Sequence, residues 1–408
     1  MNPAIAANQQ RLFLAFVAEL RPQVRRDSSL PRRIKELLAR HRAIGSRDRK
    51  LYRELVYTWL RHLPWIEPFL DADPALAARL TAWLAPELKP TAAYRAAVCG
   101  DWPVVPAALR EKAAVLTSLV PGPTFAPEAL LPAWFREHCP AAFEPPHLDA
   151  LNSRANIWVR LQCNDRELVL GEFRARGWSF HLPAGHPEAV CLPPNAEVAN
   201  TDAYRRGFVE IQDLGSQLVL AHAPIVAGTR WLDACAGAGG KTLQLARLVG
   251  LNGQVDATDI RADILDELRD RAQRARLGNV RITNNPGADY DGVLVDAPCS
   301  GSGTWRRQPH LKWYVTPESV EAFARTQRDI LSAQAARVKP GGLLVYATCS
   351  LSHHENHDVV QAFLQAQAGF TAVKPEVPPG SVFDGAGSTL LPGTRDTDGF
   401  YVAVLRRT

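Results

Sequence analysis

No stretch of this sequence approaches the ~18 consecutive apolar residues of a membrane span. Its start, "MNPAIAANQQRLFLAF", lacks the basic residues, apolar core and cleavage site of a secretory signal. The reading is a cytoplasmic protein with no membrane partner. The sequence also lacks a cysteine framework. Its seven cysteines, Cys99, Cys139, Cys163, Cys191, Cys235, Cys299 and Cys349, are scattered, and no two form a Cys-x-x-Cys pair. That argues against a disulfide scaffold and a structural zinc site. "SHHENH" (352–357) looks metal-binding at first sight, but His-Glu-x-x-His would need histidine where Asp358 stands. It reads as a solvated polar turn or helix start, with no metal. There is no internal repeat, no low-complexity segment and no large net charge, the total being +5.

Charge of one sign is concentrated in a single place. Residues 21–53 hold ten arginines and two lysines against three acidic residues. Such a stripe suits a polyanion, whose phosphates it would neutralise. It also suits a solvated helix surface.

The hydrophobic pattern divides the chain in three. Residues 1–125 repeat apolar positions at three- and four-residue steps, as in "QRLFLAFVAEL" and "SRDRKLYRELVYTWLRH", which predicts an all-α bundle. Ser46 and Asp73 are the expected N-caps, with Pro74 in a first turn. The proline-rich "VPGPTFAPEALLP" marks a boundary. Residues 126–215 read as a small α+β segment, with "IWVRLQ" as one strand. Its Trp134, Asn152, Arg154, Trp158 and Arg160 suit RNA stacking and phosphate contacts, or ordinary packing. Residues 216–408 alternate apolar strands with helical stretches, which predicts a doubly wound, Rossmann-like α/β sheet. The closing "DGFYVAVLRR" is expected as an edge strand.

"WLDACAGAGGKT" runs from a strand into a helix. Glycines there let a ligand approach the backbone and the free N–H groups of the helix start. A Walker A loop would need glycine where Cys235 stands, and a dinucleotide fingerprint would need a small residue at Thr242. An S-adenosylmethionine loop, cradling an amino acid and a nucleoside, fits better. Its candidate residues are Cys235, Ala236, Gly237, Ala238, Gly239, Gly240 and Lys241. Asp259, at the end of "VDATDI", stands where an acid binds ribose hydroxyls, and it could equally cap a helix.

Two further strands end in cysteine, "VLVDAPCSGSG" at Cys299 and "LLVYATCS" at Cys349. Ligands of open α/β sheets bind beyond the carboxyl ends of the strands. If these strands are neighbours, both thiols reach that edge. One reaction would use them. A thiolate adding to carbon 6 of cytosine makes carbon 5 nucleophilic toward a methyl group, and a second thiol assists release. That requires a thiol with a lowered pKa. Asp296 is placed to hold a proton on the ring. The residues alone do not say which thiol attacks.

"DACAGAGGKT", "VDATDI", "VDAPCSGSGTWRRQPHLKW", "PGGLLVYATCSLSHHEN" and "LPGTRDTDGFY" resemble, in order and spacing, the motifs of the Sun/Nol/Nop family of RNA 5-methylcytosine methyltransferases. "GSRDRKLYRELVYTWLRHL" and "LNSRANIWVRLQ" are similar to the NusB-like helical domain and linker of the bacterial branch. The resemblance implies S-adenosylmethionine as cofactor, held by residues 235–241 with Asp259 and Asp296. It implies Cys349 as nucleophile, Cys299 as the group that aids release, and RNA, small-subunit rRNA in particular, as substrate of a monomeric enzyme. The family commonly has proline where this chain has Ala238, and an acid near the adenine where it has Asn285. A tRNA substrate, or a non-catalytic ribosome-assembly protein on the same fold, is the alternative. Arg306 and Arg307, just after the cysteine turn, are expected on the RNA backbone.

Overall fold

The computed structural model describes residues 2–41, 44–374 and 380–408. Arg42 of the basic stretch lies outside the described residues. The chain forms two compact units, one of residues Met1–Arg154 and Trp305–Thr316, the other of Ala155–Thr304 and Pro317–Thr408. These boundaries differ from the composition breaks near 125 and 215. Leu130, Phe135 and Leu151 are buried within the helical unit, and residues 155–213 are part of the second.

The first unit is helical. Its main helices are Pro3–Leu20, Leu30–Arg40, Ser46–Arg61, Pro74–Leu84, Lys89–Val98 and Leu109–Leu119. Their apolar stripes meet in a core that includes Phe13, Phe16, Leu55, Trp59 and Leu80. Burial of each such side chain contributes about 1.5–3 kcal/mol. Asp73 caps the fourth helix by accepting from the Leu76 N–H, with Pro74 in the first turn. Gly45, not Ser46, holds the cap position of the third, and Ser46 is already helical. The segment 305–316 packs into this unit by its own buried side chains. Trp305 lies against Phe135, 4.5 Å between ring centroids. The Lys312 Nζ donates to the carbonyls of Arg61 and Leu130 and to Asn152 Oδ1, at 2.8, 3.1 and 2.6 Å.

Much of the basic stretch is matched within the unit. Arg21 pairs with Asp71 and Glu67, Arg25 with Glu67, Arg32 with Glu36, Arg33 with Asp27, and Arg40 with Glu19.

The second unit holds two sheets. Strands β1 (Ile157–Leu161), β2 (Ala189–Leu192) and β3 (Val209–Ile211) form an antiparallel sheet in the order β2-β1-β3. The larger sheet uses β4 (Arg230–Asp233), β5 (Gln254–Ala257), β6 (Val280–Ile282), β7 (Tyr290–Asp296), β8 (Val338–Thr348), β9 (Phe370–Val373), β10 (Ser381–Phe383), β11 (Ser388–Leu390) and β12 (Phe400–Arg407). Its order is β10-β11-β12-β8-β7-β4-β5-β6, with β9 also on β12. From β8 to β6 neighbouring strands are parallel. The order reverses at β4 and β7, which places the switch point, and hence the ligand edge, beyond these two strands.

Alternate residues of the central strands face opposite cores. Val293, Val295, Leu344 and Tyr346 point to the side of helices Pro317–Ala335 and His357–Ala366. Leu294, Leu343, Val345 and Ala347 point to the side of Gly240–Val249. Both faces are covered, so these strands read as continuous apolar runs. The same burial corrects the expected edge strand. β12 lies between β8 on one side and β11 and β9 on the other, and its residues 400–405 are all buried.

Candidate active site

β4 ends at Asp233, and residues 234–239 carry the chain into helix Gly240–Val249. Gly237 and Gly239 have φ of 50° and 89°, in the left-handed region that favours glycine. A side chain at Gly239 would also meet the Leu268 Cδ1 at 2.1 Å. Two arginines hold carbonyls of this loop from behind. Arg271 Nη1 donates to Ala238 O at 2.6 Å, and Arg160 Nη2 to Gly240 O at 3.4 Å. Neither role carries a local sequence signal. A loop of small residues fixed through its carbonyls, ahead of a helix start, fits the amino-acid and ribose portions of a nucleoside cofactor.

Asp259, after β5, accepts from the Gly237 N–H at 2.8 Å and from the Arg261 backbone and guanidinium. Burial pushes its pKa up, but these donors outweigh burial and hold it below the usual value. Lys241 is 7% exposed, and its Nζ lies 2.7 Å from Asp296 Oδ2. Asp233 lies beneath the loop, fully buried, and accepts from Thr242 Oγ1. Burial pushes its pKa up to about 7. Burial likewise pushes the Cys235 thiol up to about 12. Asn285 is exposed on the turn after β6.

β7 and β8 are parallel neighbours with Asp296 opposite Ala347. The turns that follow therefore meet. Cys299 Sγ and Cys349 Sγ lie 3.4 Å apart. The hydrogen bond to Cys349, then burial, then the nearby Glu355 carboxylate push the Cys299 thiol well above its ordinary pKa. That direction is opposite to the lowered value that a nucleophile needs.

A residue the sequence reading missed ties the two turns together. Glu355 accepts from the Ser300 N–H and Oγ, from Ser350 Oγ and from Gln327 Nε2. Ser300 follows Cys299 and Ser350 follows Cys349. The same Gln327 nitrogen donates to Pro298 O at 2.9 Å. Gly303 completes the brace, with its N–H on Cys349 O and its carbonyl accepting from Gly399 N, both at 2.9 Å.

Within "SHHENH", His353–Glu355 form a short 3-10 turn before helix His357–Ala366. His353 and His354 are at its surface, and Nδ1 of His353 lies 3.0 Å from Asp358 Oδ2. Glu355 and Asn356 turn inward and are buried. Other expectations also change. Arg306 is 2% exposed and lies within the helical unit, so it is not a surface contact for RNA; Arg307 is exposed. Trp158 and Arg160 are packed: Trp158 Nε1 donates to Asp396 O, and Arg160 to Gln162 and Gln212.

The profile of a family described as 16S rRNA methyltransferase RsmB/F matches residues 220–406. A ribosomal RNA small subunit methyltransferase B from Vibrio cholerae is 35% identical over 274 residues, covering 64% of this chain and 61% of that protein. The protein of that name from Cronobacter sakazakii is 31% identical over 274 residues, with 63% and 61% covered. The alignment thus spans about three fifths of these relatives. Among solved structures, PH0851 has a TM-score of 0.75 at 21% identity, covering 93% of this chain and 95% of its own. NSun6 from Pyrococcus horikoshii with SFG has a TM-score of 0.59 at 19% identity, covering 64% and 93%. These two likenesses establish the methyltransferase fold. Among the described residues, no helix is long and apolar enough to cross a membrane.

Proposed function

We propose that this chain uses S-adenosylmethionine to methylate carbon 5 of a cytosine in RNA, small-subunit ribosomal RNA in particular. The observation that carries this reading is the pair of thiols, 3.4 Å apart at the ends of β7 and β8, beside the glycine loop at the sheet's switch point. The names of the RsmB/F family and of the Vibrio and Cronobacter relatives support rRNA as substrate.

S-adenosylmethionine, when bound, supplies an electrophilic methyl group. Residues 235–241 and Asp259 would hold it, with Asp296 between that site and the base. Cys349 attacks. Its sulfur bonds to carbon 6, and the ring's electron pair becomes available at carbon 5. Asp296 holds a proton at the ring nitrogen as charge develops there. Cys299, 3.4 Å away, would donate its S–H toward the Cys349 sulfur and so stabilise the attacking thiolate. After methyl transfer carbon 5 gives its proton to water, the freed electron pair restores the 5,6 double bond, and the sulfur leaves carbon 6 as a thiolate, a release that Cys299 assists. The helical unit would capture the RNA. The protein would work in the cytoplasm as a monomer.

The test is a denaturing gel of the Cys299→Ala variant incubated with bacterial small-subunit rRNA and S-adenosylmethionine. A slow covalent protein–RNA band, lost when Cys349→Ala is added, is expected. Absence of the band in a folded variant that still binds RNA would overturn the assignment of the two thiols.

A further inference from the structure

The helical unit contains a cavity of about 230 Å³ with an unusual excess of positive charge. Arg61, at the end of helix Ser46–Arg61, lines it together with His62, Arg95, Lys112 and Arg154. The one acidic residue in the lining is Glu87. The cavity is an open cleft, and four of its lining side chains are cations, Arg61 buried and Arg95, Lys112 and Arg154 half-buried.

Among the described residues Arg154 and Arg95 have a carboxylate partner, whereas Arg61 and Lys112 have none. Arg154 is paired, since Nε and Nη2 both donate to Glu54 at 2.8 Å, but its Nη1 is buried with no hydrogen-bond partner. Arg95 spends Nε on the Ala82 carbonyl and Nη2 on that of Ala85, with Glu87 3.8 Å from Nη1. Arg61 is 5% exposed. Its Nη2 donates to a carbonyl, that of Arg306 at 3.2 Å, and its Nε has no partner. The carboxylate that acts on it, Glu54, is already bonded to Arg154, and among the described residues Arg61 makes no direct ion pair. Behind it stands another buried cation, Lys312, on the Arg61 carbonyl. His62 is 2% exposed; its Nδ1 bonds the Thr58 carbonyl, and its Nε2 has no partner. Burial lowers the pKa of Arg61, to about 10, and that of Lys112, which has only the distant pull of Asp149.

A desolvated guanidinium without a counter-charge costs several kcal/mol, and a bound anion offsets that cost. Guanidinium groups match tetrahedral oxyanions in particular, through paired N–H donors. We propose that this cavity is a phosphate site, in which Arg61, Lys112 and Arg154 hold one backbone phosphate of the RNA and fix the register of the helical unit on the strand. The proposal rests on RNA being the ligand of this chain. It goes beyond that reading by naming the place and the group bound.

Lys112 is the residue to change, because among the described residues its ammonium makes no hydrogen bond or ion pair. Replacing a desolvated ammonium by a neutral side chain of similar length does not destabilise a core. The full-length protein, its Lys112→Gln variant and its Lys112→Arg variant would be titrated with an RNA stem–loop containing unpaired cytosines, over a range of salt. Wild type and Lys112→Arg should share one slope of log K against log salt. Lys112→Gln should reduce that slope by roughly one phosphate contact and weaken binding at low salt, with no fall in melting temperature. Equal slopes for all three would overturn the proposal, as would a wild-type chain that does not bind the RNA. A calorimetric titration with inorganic phosphate separates the sources. Phosphate binding lost in Lys112→Gln, with the RNA slope unchanged, would make this a site for free phosphate and overturn the RNA assignment. RNA that is bound with the expected slopes but never methylated would leave the phosphate site standing and count against the methyltransferase reading.

Discussion

Glu355 accepts a hydrogen bond from the backbone N–H of Ser300 at 2.7 Å, so a carboxylate that follows β8 holds the turn that follows β7. Its second oxygen takes Ser350 Oγ, on the other cysteine turn. Spacing of the two thiols therefore depends on one buried side chain between them. Glu355→Ala would strand the Ser300 N–H and both serine hydroxyls in a buried place. The expected loss is about 3 kcal/mol, measured by urea denaturation. Glu355→Gln keeps an acceptor and should lose less stability. In both variants adduct formation by Cys299→Ala should slow while affinity for S-adenosylmethionine stays near wild type.

Gly303 is fixed by space. A Cβ there would lie 2.1 Å from the Gly399 carbonyl oxygen and 2.9 Å from that of Cys349. Both are backbone atoms and cannot swing aside. Gly303→Ala should cost about 3 kcal/mol and displace the Cys349 turn. Gly278→Ala, where a Cβ meets nothing within 4 Å, is the control and should melt like wild type.

Lys241 and Asp296 are unequal partners. The lysine side chain is 7% exposed and the aspartate 31%. Asp296→Ala leaves a buried ammonium without its counter-charge, and about 2–4 kcal/mol should be lost. Lys241→Met leaves a carboxylate that water reaches, and about 1 kcal/mol should be lost. A double variant close to Lys241→Met in stability would support this asymmetry. Equal losses from the two single variants would contradict it.

Asp233 gives a pH dependence with a definite sign. Its pKa is about 7 when folded and ~3.9 in an unfolded chain. Between these values the folded state holds a proton that the unfolded state has lost. The stability linked to this group is full below pH ~4 and declines as pH rises to about 7. Asp233→Asn mimics the protonated form and still offers Thr242 an acceptor. It should raise the melting temperature at pH 8 relative to wild type, and the gain should shrink toward pH 5.

The parts of this site that could be read in sequence are those built from local pattern. The glycine loop, Asp259 and the two cysteines each sit at the end of an apolar run, where an α/β sheet delivers its functional groups. Their neighbourhood then follows from the parallel pairing of β7 and β8. Glu355 was hidden because its local context is polar. An exposed and a half-buried histidine precede it, and only contacts with Ser300 and Gln327, far away in sequence, make its carboxylate a buried one. Arg306 misled for the same reason. An arginine beside a catalytic turn looks like a substrate contact until the chain is seen to carry it inward. β12 reads as an edge strand in sequence, whereas its unbroken "FYVAVL" fits a strand covered on both faces with a partner on each side.

The excursion of residues 305–316 has a consequence for anyone who cuts this protein. Neither unit is one continuous piece of chain. A fragment ending at Arg154 would lack Trp305 and Lys312, leaving Phe135 without its tilted aromatic neighbour and the carbonyls of Arg61 and Leu130 without their donor. A fragment beginning at Ala155 would carry Trp305, Lys312 and Trp313 with nothing to bury them, since Trp313 Nε1 normally donates to the Leu60 carbonyl. Either truncation would be read as loss of RNA binding or of catalysis when it is first a loss of packing. A clean separation has to splice 305–316 out of one half and back into the other.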